Sequence, residues 1–143
     1  MLTKEILRIK GTTLYTVTPA TQLAEAIDTM VDNDIGSLVV MERGRLTGML
    51  TFREVLRALR GGVAPGDRRV ADVMAQDPTT VGPDVEVDDL RRIMLETRVR
   101  YVPVMDGTTL VGVLSFHDVA RAVLEEQSFE NRMLKGYIKN WPE

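Results

Sequence analysis

Apolar positions along the chain alternate between a helical and an extended rhythm. Leu23, Ile27 and Met30 recur at helical spacing, as do Val87, Leu90 and Met94. Each set precedes two nearly unbroken apolar runs, 37–41 and 46–50 in the first case, 101–105 and 110–114 in the second. The four-residue connections Glu42-Arg43-Gly44-Arg45 and Asp106-Gly107-Thr108-Thr109 contain glycine, so each pair of runs reads as a β-hairpin. A short extended stretch ending in a proline turn (15–17, 79–81) precedes each helix. A second helix follows each hairpin, carrying Phe52, Val55, Leu56 and Leu59, or Phe116, Val119 and Val123. The pattern predicts an α/β chain in which one β-α-β-β-α unit occurs twice.

Direct comparison of the chain with itself supports the duplication. A shift of 64 residues lays 8–60 on 72–124 without a gap, and 13 of the 53 pairs are identical. Nine of those fall within 40–58 against 104–122, among them Val40/Val104, Gly48/Gly112 and Ala58/Ala122. The expected organisation is repeat one over 8–60, a Gly- and Pro-rich linker over 61–71, and repeat two over 72–124. One unit alone buries too little surface to offset its chain entropy. Two units related by a pseudo-twofold axis, packed sheet against sheet, solve that problem and leave two symmetric clefts between them. Beyond 124 the repeat stops, yet Phe129, Met133 and Tyr137 recur four apart with Leu134 and Ile138 beside them. A C-terminal amphipathic helix over 125–143, ending near Trp141-Pro142, follows from that pattern. Its apolar stripe needs cover, from a second subunit or from the same chain, and the subunit interface is the favoured expectation.

Composition narrows the function. The chain has 143 residues, a formal charge of −3 and no cysteine. A net acidic chain without a basic cluster is a poor nucleic-acid binder, since phosphate neutralisation needs clustered cations. No disulfide, thiol nucleophile or cysteine metal site is possible, which suits a reducing cytoplasm. No apolar run approaches the roughly 20 residues needed to span a bilayer, and 1–6 has no signal-peptide core, so no membrane role is expected.

Candidate chemistry sits at the corner between each hairpin and its second helix. Thr51-Phe52-Arg53-Glu54 and Ser115-Phe116-His117-Asp118 place a hydroxyl at a helix start and an acid three residues later. Such a pair forms a capping box, and Asp118, being shorter, is expected to suit that box less well than Glu54. The same corner also makes an anion site. A helix N-terminus gathers free N–H groups, Arg53 or His117 adds donors, and the acid can accept a ribose diol. Arg100 has Gly36 as its repeat partner, so the fold does not require it; it is either a solvated strand-edge arginine or a phosphate clamp. His117 has no nucleophile or metal partner at a matched spacing and reads as a surface helix residue. No residue is nominated as catalytic or as a metal ligand.

Taken together, the Gly-x-x-Thr/Ser-x-x-Asp/Glu corner, the Tyr101-Val102-Pro103-Val104 strand and the early Thr-Val-x-Pro of each copy resemble the cystathionine-β-synthase (CBS) domain, present as a pair over about 8–124. Copy two fits the family pattern throughout. Copy one departs from it, with Val39 for the strand proline and Glu54 for the ribose-binding aspartate. The resemblance implies a non-catalytic module that binds AMP, ATP, NAD or an S-adenosyl compound as regulatory ligand, requires no cofactor, forms a homodimer and signals to a partner protein. In one cleft it implies Ser115, His117 and Asp118 on phosphate and ribose, with Thr13, Ile35 and Gly36 around the base; Gly36, lacking a side chain, would let a ring lie against the backbone. In the other it implies Thr51, Arg53 and Glu54 with Asp77, Val99 and Arg100. The alternative is a structural dimerisation module that binds no ligand.

Overall fold

The computed structural model describes residues 1–11 and 13–139, with the backbone alone for 137–139. Repeat one contains β1 (Thr16–Val17), α2 (Leu23–Asp32), β2 (Ser37–Glu42), β3 (Arg45–Thr51) and α3 (Phe52–Arg60), preceded by α1 (Thr3–Lys10). A single 3-10 turn (Pro65–Asp67), α4 (Val70–Val73) and β4 (Ala75–Gln76) lead to α5 (Val87–Thr97), β5 (Tyr101–Asp106), β6 (Thr109–Ser115) and α6 (Phe116–Lys139). The two predicted units are present.

Both hairpins are tighter than the sequence suggests. Glu42 pairs with Arg45 and Asp106 with Thr109, leaving two residues in each turn. Arg43 and Gly44 both take positive φ, 51° and 76°, the handedness that matches strand twist across a two-residue loop. Register shifts one residue at Val40/Met41, and again at the equivalent Val104/Met105, so the duplicated bulge accounts for part of the identity there.

Each repeat keeps its own apolar core between its sheet and its helices. In repeat one Leu38, Val40 and Leu50 pack on Leu23, Ala26 and Met30 of α2 and Ala58 of α3. In repeat two Val102, Val104 and Leu114 pack on Leu90 and Met94 of α5 and Val119 and Ala122 of α6. The opposite sheet face is buried as well: Val39 and Met49 are almost fully covered yet belong to neither core. That face meets the other repeat, whose Tyr101 crowds against Gly36 beside Phe52 of repeat one. Both faces of β2 are therefore covered, as its apolar run requires.

Residues 1–10 were not expected to be ordered as a helix, and α1 packs on the far repeat. Its Ile6 joins the core of repeat two, and Thr3 N–H and Lys4 N–H donate to Val85 O and Pro83 O, both at 2.9 Å. The linker helix α4 does the same in reverse. Val70 joins the core of repeat one, and Val70 N–H and Ala71 N–H donate to Thr21 O (2.8 Å) and Pro19 O (3.0 Å). Thus Thr3 is the counterpart of Val70, an offset of 67 rather than 64. From the start of α1 to β1 the chain has three more residues than from the start of α4 to the equivalent stretch, and a gapless self-match passes over them.

The second helix of repeat two and the C-terminal helix are one continuous element, with no break at 124/125. Copy one ends α3 at Arg60 because Gly61 caps it and Gly62 takes φ 85°. The matching positions of copy two are Glu125 and Glu126, which sustain a helix. Phe129, Met133 and Leu134 are exposed, whereas the side chains of Tyr137 and Ile138, and the expected end near Trp141-Pro142, lie outside the described residues. Changing Glu125 and Glu126 to glycine costs roughly 0.5–1 kcal/mol of helix propensity per site. The expected result is a shortened α6, seen as lost helical ellipticity in far-ultraviolet circular dichroism; undiminished helicity would refute the role given to this pair.

Helical spacing in α3 is as expected, but most of its apolar residues face outward. Phe52, Leu56 and Leu59 are 54 %, 65 % and 47 % exposed, and only Val55 and Ala58 turn to the core.

Candidate functional site

Both helix corners form complete capping boxes. In copy one Thr51 N–H donates to Glu54 Oε1 at 2.9 Å, its hydroxyl donates to the same atom at 2.7 Å, and Arg53 N–H donates to Thr51 Oγ1 at 3.2 Å. In copy two Ser115 N–H donates to Asp118 Oδ2 at 2.8 Å, and Asp118 N–H returns to Ser115 Oγ at 3.1 Å. Asp118, though the shorter and less usual acid at this position, closes its box as Glu54 does. Each corner points its N-terminal dipole into a hollow between the repeats.

The larger hollow has a volume of about 1100 Å³. Ser115, His117 and Asp118 stand on one side of it, with Thr13, Ile35 and Gly36 from copy one on the other. All six residues expected in this cleft line it. The place a side chain on Gly36 would take is already filled by the Tyr101 ring of copy two, with Phe52 beside it. Gly36 is thus a point where the repeats touch, and any base lying there does so next to an aromatic wall.

The second hollow has a volume of about 700 Å³ and is lined by Thr51, Arg53 and Glu54 together with Val99 and Arg100. Asp77 is not in its wall. The lining runs from Ala75 to Pro78 and Thr79, while Asp77 is exposed at φ 47°. The gapless offset of 64 sets Asp77 against Thr13 of the larger cleft, and the three-residue difference ahead of β1 breaks that equivalence. Arg57 and Arg60 also line this hollow and were not foreseen.

Arg98, Val99, Arg100 and Tyr101 line both hollows, so one segment forms their common wall. Arg98 caps α5 in the left-handed conformation at φ 58°, and its repeat counterpart Asp34, one residue past the Asn33 cap of α2, also takes positive φ at 50°. Arg100 is exposed at this wall and has no ion-pair partner among the described residues.

Lys10, the last residue of α1, completes the larger cleft. Its Nζ donates to Asp118 Oδ2 at 2.8 Å and to Val113 O at 2.7 Å. Burial of the Asp118 carboxyl favours its neutral form, but hydrogen bonds from Lys10 and from Ser115 N–H, with the Lys10 charge, outweigh burial and hold it below the ordinary aspartate value. The acid is therefore an anion at neutral pH. Only the helical spacing of Thr3, Ile6, Leu7 and Lys10 hints at this contact in the sequence.

Comparison with known proteins agrees with this architecture. The CBS domain family matches residues 5–61 and again 70–125. The mitochondrial CBS domain-containing protein CBSX3 of Arabidopsis thaliana is 31 % identical over 135 residues, covering 90 % of this chain and 65 % of that protein. The chain therefore spans just under two thirds of that relative. Among solved structures, the CBS-domain protein ATU1752 of Agrobacterium tumefaciens superposes with a TM-score of 0.81 at 31 % identity, over 85 % of this chain and 98 % of its own. CBSX2, solved in complex with AMP, superposes with a TM-score of 0.68 at 27 % identity, over 80 % of this chain and 90 % of its own. Two matched copies, two corners of the same design and a hollow between them have one explanation: the chain belongs to the CBS domain family and carries that domain as a tandem pair.

Proposed function

We propose that the chain is a non-catalytic regulatory module that binds an adenine nucleotide between its repeats and passes the resulting shift to a partner protein. The observation that carries this reading is the larger cleft, where a helix N-terminus, a hydroxyl and an ionised aspartate from copy two face Thr13, Ile35 and Gly36 of copy one. The N-terminus suits a phosphate, the carboxylate a ribose diol, and the apolar facing wall a base. A relative that holds AMP is consistent with that chemistry. Because the ligand touches both repeats, it favours one arrangement of the pair by its differential affinity. The proposed compartment is the cytoplasm, resting on the absence of cysteine; no helix among the described residues is long and apolar enough to cross a membrane.

Thermal unfolding with AMP, ATP, NAD and S-adenosylmethionine tests the proposal. A ligand that binds only the folded chain adds about 2.7 kcal/mol of stability at a hundredfold excess over its dissociation constant. At least one of the four is expected to raise the melting temperature in a dose-dependent way. A second reading, a dimerisation module without ligand, draws on the exposed Phe52, Leu56 and Leu59 of α3 and Phe129 and Met133 of α6. Four flat melting series from a chain that sediments as a dimer would favour it.

A further inference from the structure

The Lys10 contacts with Asp118 and Val113 O come on top of an anchorage that α1 already has. Helix α1 is already docked by the backbone bonds of Thr3 and Lys4 and by buried Ile6. Asp118 already has its cap partner in Ser115 N–H and needs no cation to close the box. Lys10 instead brings a third cation to a wall that holds Arg98 and Arg100 against one acid, Asp118. A single oxygen atom, Asp118 Oδ2, separates Lys10 Nζ from Ser115 N–H. A phosphate seated on the N-terminus of α6 is therefore within the swing of a lysine side chain whose helix stays in place.

We propose that Lys10 is an exchangeable counter-ion of this cleft, which selects nucleotides that carry a phosphate over neutral or cationic relatives of the same base and sugar. The proposal rests on the nucleotide reading of the cleft and names the ligand class within it. Without ligand, Lys10 neutralises Asp118. A nucleoside that offers its diol to Asp118 must share the carboxylate with Lys10 and gives the ammonium nothing in return. A nucleotide gives it a phosphate oxygen, so the cation changes partner and Asp118 is left to the ribose. A sulfonium ligand adds positive charge to a wall that already has an excess of it.

Calorimetric titration with AMP and with adenosine, at the site that Asp118→Ala weakens, tests this in the wild type, Lys10→Gln and Lys10→Arg. The wild type is expected to prefer AMP by about tenfold or more, and Lys10→Gln to narrow that preference by about fivefold, as the loss of one charge-assisted contact predicts. Lys10→Arg is expected to keep most of it. An unchanged AMP-to-adenosine ratio in Lys10→Gln, with both ligands still bound, overturns the role of Lys10 and leaves the nucleotide reading standing. If neither ligand shows a site sensitive to Asp118→Ala, the nucleotide reading of this cleft falls, and the counter-ion with it.

Discussion

Gly48→Ala will destabilise the chain by about 1–3 kcal/mol, the usual penalty for forcing a group into filled space, and no second change in Met74 will recover the loss. A Cβ at Gly48 would stand 2.7 Å from the backbone oxygen of Ala75 and 2.8 Å from Met74 Sδ. Removing the methionine side chain clears the second contact and leaves the first, which belongs to a strand paired with β3 at that point. Gly112, the repeat partner, makes the opposite prediction. A Cβ there would meet Leu7 Cδ2 at 2.6 Å and nothing else closer than 3.5 Å. Gly112→Ala should therefore be relieved by Leu7→Ala, giving a double-mutant cycle with clear favourable coupling where the Gly48/Met74 cycle shows little. Urea unfolding of the six variants measures both cycles. Equal coupling would mean that the two crossings are not built as described.

Loss of the Asp118 carboxylate will weaken nucleotide binding by about tenfold to a hundredfold, the range for a hydrogen bond to a charged group, and Glu54→Ala will cost clearly less. Asp118 Oδ2 serves Ser115 and Lys10, and its carboxylate stands in the larger cleft. Glu54 folds back so that one oxygen takes both the N–H and the hydroxyl of Thr51, leaving that oxygen committed to its own cap. Each substitution also removes a cap, worth about 0.5–2 kcal/mol of stability, so calorimetry must be run well below the melting point of the weaker variant. Indistinguishable dissociation constants for the two variants and the wild type would remove Asp118 from the site.

The chain's own repetition made most of this architecture readable. Val40, Gly48, Leu50 and Ala58 recur at 104, 112, 114 and 122 because each pair meets a similar local demand: a bulge, a close approach of a neighbouring segment, a core position. The candidate corners were legible for the same reason, since Ser115 and Asp118 sit at a strand-to-helix junction that any reading of the second copy finds. What escaped is what the copies do not share. Lys10 and Asp77 lie in the stretch where copy one has three more residues, and a fixed offset pairs them with the wrong partners. Helix α4 has only four residues, too few to show a period. The outward turn of Phe52, Leu56 and Leu59 also lay beyond reach, because helical spacing says that residues share a face and not what that face meets.

Because α1 lies on the second unit and α4 on the first, each half completes its neighbour's interior with a borrowed piece. Cutting the chain at Gly61-Gly62 would yield fragments that each present an orphaned helix and a vacant seat for the other's. Such fragments should be poorly folded apart and recombine when mixed. A chain reduced to a single unit would have to trade leading helices with a twin, which makes the tandem pair the covalent form of an exchanged dimer.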